Sequence, residues 1–206
     1  MLSAVQQKNL GTTGPWLAIG LALAMMVTRV GHFGEAGGPP DASWAIFFLA
    51  GLWLQDARAF PLFFALGWVA DLIAFSLGTP TNCYSMAYLF LIPAYGSLWA
   101  AGQCLAAFSS HEESTHEGSM GSHSGAKGVL MLAVSVVGSA VVCFAWANLG
   151  MWWFADSAMT YSFGEYLNAV SVYLAGYVLT MAMYVTVAVG LALAWVHRRL
   201  GAPTAH

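Results

Sequence analysis

The chain is 206 residues long, 59% apolar and only 7% charged, against about 25% charged in an ordinary soluble domain. That composition excludes a water-soluble globule, and a net charge of -3 from six basic and nine acidic residues offers no basic surface for nucleic acid. No GxxxxGK[ST] phosphate loop occurs, so any ATP-driven step belongs to another chain.

Apolar runs between breakers predict an all-α membrane protein with six transmembrane helices, at 15–30, 43–54, 60–77, 83–108, 128–151 and 164–196, in a single domain spanning 1–206. The first run follows Lys8 and ends at Arg29 with no small-x-small cleavage site, which favours a retained span over a signal peptide. Small residues recur along it at four-residue spacing, Ala18 and Ala22 on one line, Gly20 and Ala24 on another, a pattern that suits close helix approach. The loop after it, from His32 and Phe33 to Asp41, is rich in turn formers and carries a candidate ligand in His32. The second run is only about twelve residues, too short to cross a bilayer, so it either extends into the Gly-Gly-Pro-Pro stretch or is partly surrounded by protein. The third carries Asp71, the one acid well inside a span, at a level similar to Arg29. A structural Arg29 to Asp71 pair is one reading; a proton or cation site is the other.

Asn82 is a good N-cap, which makes Cys83 the first residue of the fourth helix. A thiol there sits in the positive end of the helix dipole and is more readily a thiolate, the form that attacks and that binds metal. The bland alternative is a small packed hydrophobe. Cys104, about 31 Å further along at 1.5 Å per residue, lies beyond disulfide reach of Cys83 and reads as packing. The stretch 109–127, with its Ser, Gly, Glu and His, reads as a flexible linker, and the spacing of His111, His116 and His123 matches no compact metal motif.

Tyr84, Tyr88 and Tyr95 form one stripe on the fourth helix, and Tyr166, Tyr173, Tyr177 and Tyr184 another on the sixth. Such stripes serve helix packing or wall a large, flat, partly polar ligand. Both begin beside Cys83 and beneath the aromatic loop of Trp152, Trp153, Phe154, Tyr161 and Phe163. Placing both termini in the cytoplasm puts Lys8, Arg58, Lys127, Arg198 and Arg199 inside and only Arg29 outside, as the positive-inside rule requires.

The span layout, the stretch Arg29-Val30-Gly31-His32-Phe33-Gly34 and above all Thr79-Pro80-Thr81-Asn82-Cys83-Tyr84 resemble the BtuM-type vitamin B12 transporters. These share the six-helix fold of the substrate-binding S-components of energy-coupling factor (ECF) transporters. The resemblance implies a multi-pass protein of the bacterial inner membrane that takes up cobalamin, with Cys83 as axial ligand to the cobalt. It further implies that loops one, three and five and the outer halves of helices four to six enclose the ligand, and the candidate lining residues there are Cys83, Tyr84, Tyr88, His32, Phe33, Trp152, Trp153, Tyr161, Tyr166 and Tyr173. S-components dock to an ECF partner through an Ala-xxx-Ala surface on the first helix, which Ala18 and Ala22 would supply, although BtuM-type proteins are solitary. A thiolate on cobalt would also help expel an upper axial cyanide, giving Cys83 a catalytic role in converting cyanocobalamin. Two other classes remain as alternatives: a Co or Ni ion transporter using His32, Asp71 and the histidine-bearing loop, and a non-transporting membrane subunit.

Overall fold

In lipid the backbone must satisfy its own hydrogen bonds within each segment, and helix is the local solution for a single apolar run. The computed structural model describes the backbone of residues 4–32, 39–77, 86–115, 123–154 and 160–200, and the side chains of 14–30, 39–77, 86–110, 126–154 and 160–198. Among the described residues seven α-helical segments follow one another: α1 Ala4–His32, α2 Ser43–Trp53, α3 Ala59–Ser76, α4 Leu91–Thr115, α5 His123–Phe154, α6 Phe163–Val170 and α7 Leu174–Leu200. Short 3-10 turns, Met86–Phe90 and Ser171–Tyr173, lead into α4 and α7. No strand occurs among the described residues.

Among the described residues four stretches are long and apolar enough to cross a bilayer: Ala59–Ser76, Met86–Ser110, Ala126–Phe154 and Phe163–Arg198. The apolar parts of the first two helices, Gly14–Val30 and Ser43–Trp53, are shorter. The chain is therefore an all-helical, multi-pass membrane protein.

Several helix ends differ from the sequence expectation for local reasons. Among the described residues, regular α-helix in the fourth run begins at Leu91, after the 3-10 turn Met86–Phe90, with Pro93 in its first turn; the start expected at 83 lies outside the described residues. At the other end α4 and α5 run into the stretch expected as a 109–127 linker, reaching Thr115 and starting at His123. Ser109 and Ser110 turn their hydroxyls back onto the carbonyls of Leu105 (2.8 Å) and Ala106 (3.0 Å), so these polar residues continue the helix. The first helix likewise starts well before position 15, with Pro15 inside it.

The short α2 is the centre of the molecule. Its 11 residues span about 16 Å, and Ser43 and Ala45 through Gly51 are all buried. It packs against α1, α3, α4 and α7, so the second run is surrounded by protein. The closest approach is to α4: a Cβ on Gly51 would overlap the Trp99 carbonyl, and one on Gly102 would lie 2.7 Å from the Leu52 amide. Phe47 stacks on Tyr95 at 4.5 Å between ring centres and meets Phe60 and Phe63 of α3 edge-on or tilted. Gly150 of α5 makes room for Phe90, whose Cβ would be 2.5 Å from an added methyl. Gln55, at φ 53°, turns the chain out of α2 in the left-handed region where glycine usually serves.

Cys143 lies fully buried in this core, whereas Cys104, expected to pack, is exposed on α4. The reason is phase: Leu105 and Ala106 take the inward positions beside it. On α1, Ala22 packs against the core and Ala18 is half-buried, while Gly20 and Ala24 share the exposed face with Trp16, Ile19, Leu23 and Val27.

Candidate functional site

Five parts of the chain bring polar side chains together where α1 and α3 end and α2 and α4 begin. Arg29 is 7% exposed and Asp71 is fully buried. The guanidinium grips the carboxylate at two points, Nε to Oδ1 at 2.6 Å and Nη2 to Oδ2 at 2.8 Å. This fork-on-fork geometry is the strongest form of such a pair, and it offsets the cost of taking both charges out of water. The remaining nitrogen, Nη1, donates to Tyr95 Oη at 2.9 Å and Ser43 Oγ at 3.0 Å, with Asp41 Oδ2 at 3.4 Å. The Arg29 Cζ also stands 5.9 Å from the centre of the Tyr95 ring.

Each partner is itself held. The Ser43 hydroxyl donates to Asp41 Oδ1 at 2.6 Å while accepting from Arg29, and the Ser43 amide donates to the same carboxylate oxygen at 2.9 Å. Asp41 thus sits at the positive end of α2, where a carboxylate is favoured. Thr28 accepts from the Ala42 amide at 3.2 Å and donates to the Ala24 carbonyl at 2.8 Å, tying α1 to the start of α2. The Tyr88 hydroxyl donates to Asp71 Oδ2. Asp71 therefore accepts three hydrogen bonds, and no buried side-chain N or O among the described residues lacks a partner.

The 3-10 turn that carries Tyr88 also carries Phe90, which packs on Phe154 (6.0 Å) and Trp146 (6.3 Å) at the end of α5. One turn thus joins the ion pair to the aromatic end of α5. There the Trp152 indole N–H donates to the Tyr161 carbonyl at 3.0 Å, and its ring meets Phe163 at 5.2 Å and Trp153 at 6.1 Å. A capping box starts α6: Glu165 accepts from the amide and hydroxyl of Ser162 (2.8 and 2.6 Å) and Ser162 Oγ accepts from the Glu165 amide (3.4 Å). Trp153 and Tyr161 stay more than half exposed beside it.

Of the residues expected to form the site, Tyr88 joins the polar cluster and Trp152, Trp153 and Tyr161 gather at the α5 to α6 turn. Cys83, Tyr84 and Phe33 lie outside the described residues, as does the side chain of His32, the last residue of α1. The tyrosines expected as one stripe on the sixth run point to different neighbours. Tyr166 donates to Asn148 Oδ1 at 3.2 Å, Tyr177 stacks on Trp44 at 4.8 Å, and Tyr184 donates to the Pro40 carbonyl at 2.8 Å. Tyr173 is 64% exposed. The 3-10 turn at Ser171–Tyr173 breaks the stripe, since three residues at 3.0 per turn advance the phase by about 60° over an α-helix. Asp41 and Ser43 enter the site without having been singled out; an Asp-x-Ser at a helix start was the available signal.

Comparison of the chain with protein-family models and with curated protein sequences finds no match.

Proposed function

We propose that the chain is a cobalamin uptake protein of the bacterial inner membrane, with six membrane-crossing segments, both termini in the cytoplasm and Cys83 as the axial ligand to cobalt. The observation that carries this reading is the junction of Asp71 with Tyr88. These two residues bracket the Thr79-Pro80-Thr81-Asn82-Cys83-Tyr84 stretch in sequence and are hydrogen-bonded to each other, and the turn that bears Tyr88 also contacts the exposed aromatic end of α5. The hydrogen bond holds the two flanks of that stretch at one polar cluster, and the bank of indole and phenol rings that the Tyr88 turn adjoins suits a ligand with broad apolar faces and an amide rim. The corrin ring fills four equatorial positions on cobalt, so one soft thiolate completes what the protein must provide. Loss of an upper cyanide as the anion, taking its bonding pair, leaves cobalt in the same oxidation state and consumes no reductant.

Orientation is supported by charge. Arg29, the only base assigned to the outer side, is buried against Asp71, whereas Arg58, Lys127 and Arg198 are exposed at the other ends of their helices. A free-ion transporter built on Asp71 fits less well, because that carboxylate already accepts from Arg29 twice and from Tyr88. Visible absorption of the purified protein after incubation with cobalamin and removal of free vitamin tests the proposal. Corrin bands should co-purify, displaced from the free spectrum in the parent but not in Cys83→Ser. Unshifted bands in both proteins would discard the cobalt to sulfur bond, and no retained colour in either would discard cobalamin.

A further inference from the structure

We propose that a phospholipid of the surrounding bilayer occupies the groove between α1 and α7, one acyl chain lying along it and the phosphate against Arg198. The groove has a volume of about 720 Å³, within the roughly 300–1,000 Å³ range of small-molecule clefts. It exists because α2 is short. Both α1 and α7 pack on α2, and α2 stops at Trp53 after about 16 Å, roughly half of the bilayer core. Beyond that point residues of α1 and α7 line the groove from its two sides, and Trp53, at the end of α2, lines it as well.

The lining says what fills it. Gly20 of α1 and Ala188 of α7 keep the floor low, and an added Cβ on Gly20 would meet nothing within 4 Å. Trp16 and Trp195 also line it, the residue type that marks the level of the headgroups. Arg198 is the one charged residue of the lining, it is exposed, and no carboxylate pairs with it among the described residues. An apolar slot with a single cation at the headgroup level is the complement of a phospholipid, which brings an acyl chain and a phosphate in that order. A protein helix would have to supply a carboxylate at the same depth, and a second copy of this chain would present its own Arg198 to the first.

Native mass spectrometry of the full chain released from detergent tests this, with phosphatidylglycerol and diacylglycerol of identical chains as probes. One phosphatidylglycerol per protein should be retained and diacylglycerol should not. Arg198→Gln should weaken retention by about fivefold, the usual worth of one interfacial cation. Gly20→Trp, which fills the slot from an open position, should abolish it, and Arg58→Gln, exposed elsewhere, should leave it unchanged. Equal retention of the two lipids, equal loss in Arg58→Gln, full retention in Arg198→Gln, or a lipid-free dimer would each overturn the proposal.

Discussion

Arg29 touches side chains from α3, α4 and the approach to α2, so the effect of a change depends on which partner goes. Removing Asp71 leaves a guanidinium buried without its carboxylate. Asp71→Ala should therefore cost about 3–5 kcal/mol in unfolding from detergent. Replacing both partners, as in Arg29→Met with Asp71→Leu, should recover most of that loss, because neither charge of the buried pair remains to be desolvated. A double variant as unstable as the single one would mean that the Tyr95, Ser43 and Asp41 contacts carry the stability instead. At the proposed ligand, cyanide release from bound cyanocobalamin should slow markedly in Cys83→Ser; an unchanged rate would remove the thiolate from that step. The ion pair was legible in the sequence because Arg29 and Asp71 are isolated charges in apolar runs, and such charges must find each other. Its setting was not. Tyr88 and Tyr95 could be placed on a stripe, but nothing local to them names Asp71 or Arg29 as the partner.

Among the helices, stability rests on how closely α2 and α4 approach. Gly51→Ala should destabilise by roughly 1–3 kcal/mol or more, because the added methyl meets the Trp99 backbone, which cannot swing aside as a side chain would. Gly20→Ala on α1, with open space around it, should lie close to zero in the same thermal unfolding measurement. Equal costs at the two sites would show that α2 and α4 can separate freely. The sequence drew attention to small residues on α1, where they repeat within one helix. The tight contact instead pairs one glycine from each of two helices, a match that becomes visible only when both are in place. The same limit applies to the tyrosines of the sixth run, whose even spacing hides a three-residue change of pitch.

For the molecule as a whole, the distribution of exposed bases predicts orientation. A reporter fused after His206 should read cytoplasmic, and moving two lysines into the loop around Asp156 should weaken that preference. A periplasmic reading would reverse the sides assigned to every loop and with them the proposed direction of uptake. The all-helical class and the membrane setting follow from composition and run length, because a bilayer leaves the backbone few options. Depth was harder to read: a run of 11 apolar residues looks like a poor span, and only its burial by four neighbours explains it.

That buried peg also constrains how the protein is made. The chain emerges from the ribosome in order, so α1 reaches the membrane with Arg29 while Asp71 is still 42 residues behind it. Neither that arginine nor an 11-residue α2 can settle alone in lipid. Biogenesis must therefore keep α1 and α2 at the translocon, beside water or a chaperone, until α3 delivers its carboxylate and α4 its Gly102 face, so that the first four segments enter the bilayer as one cohort.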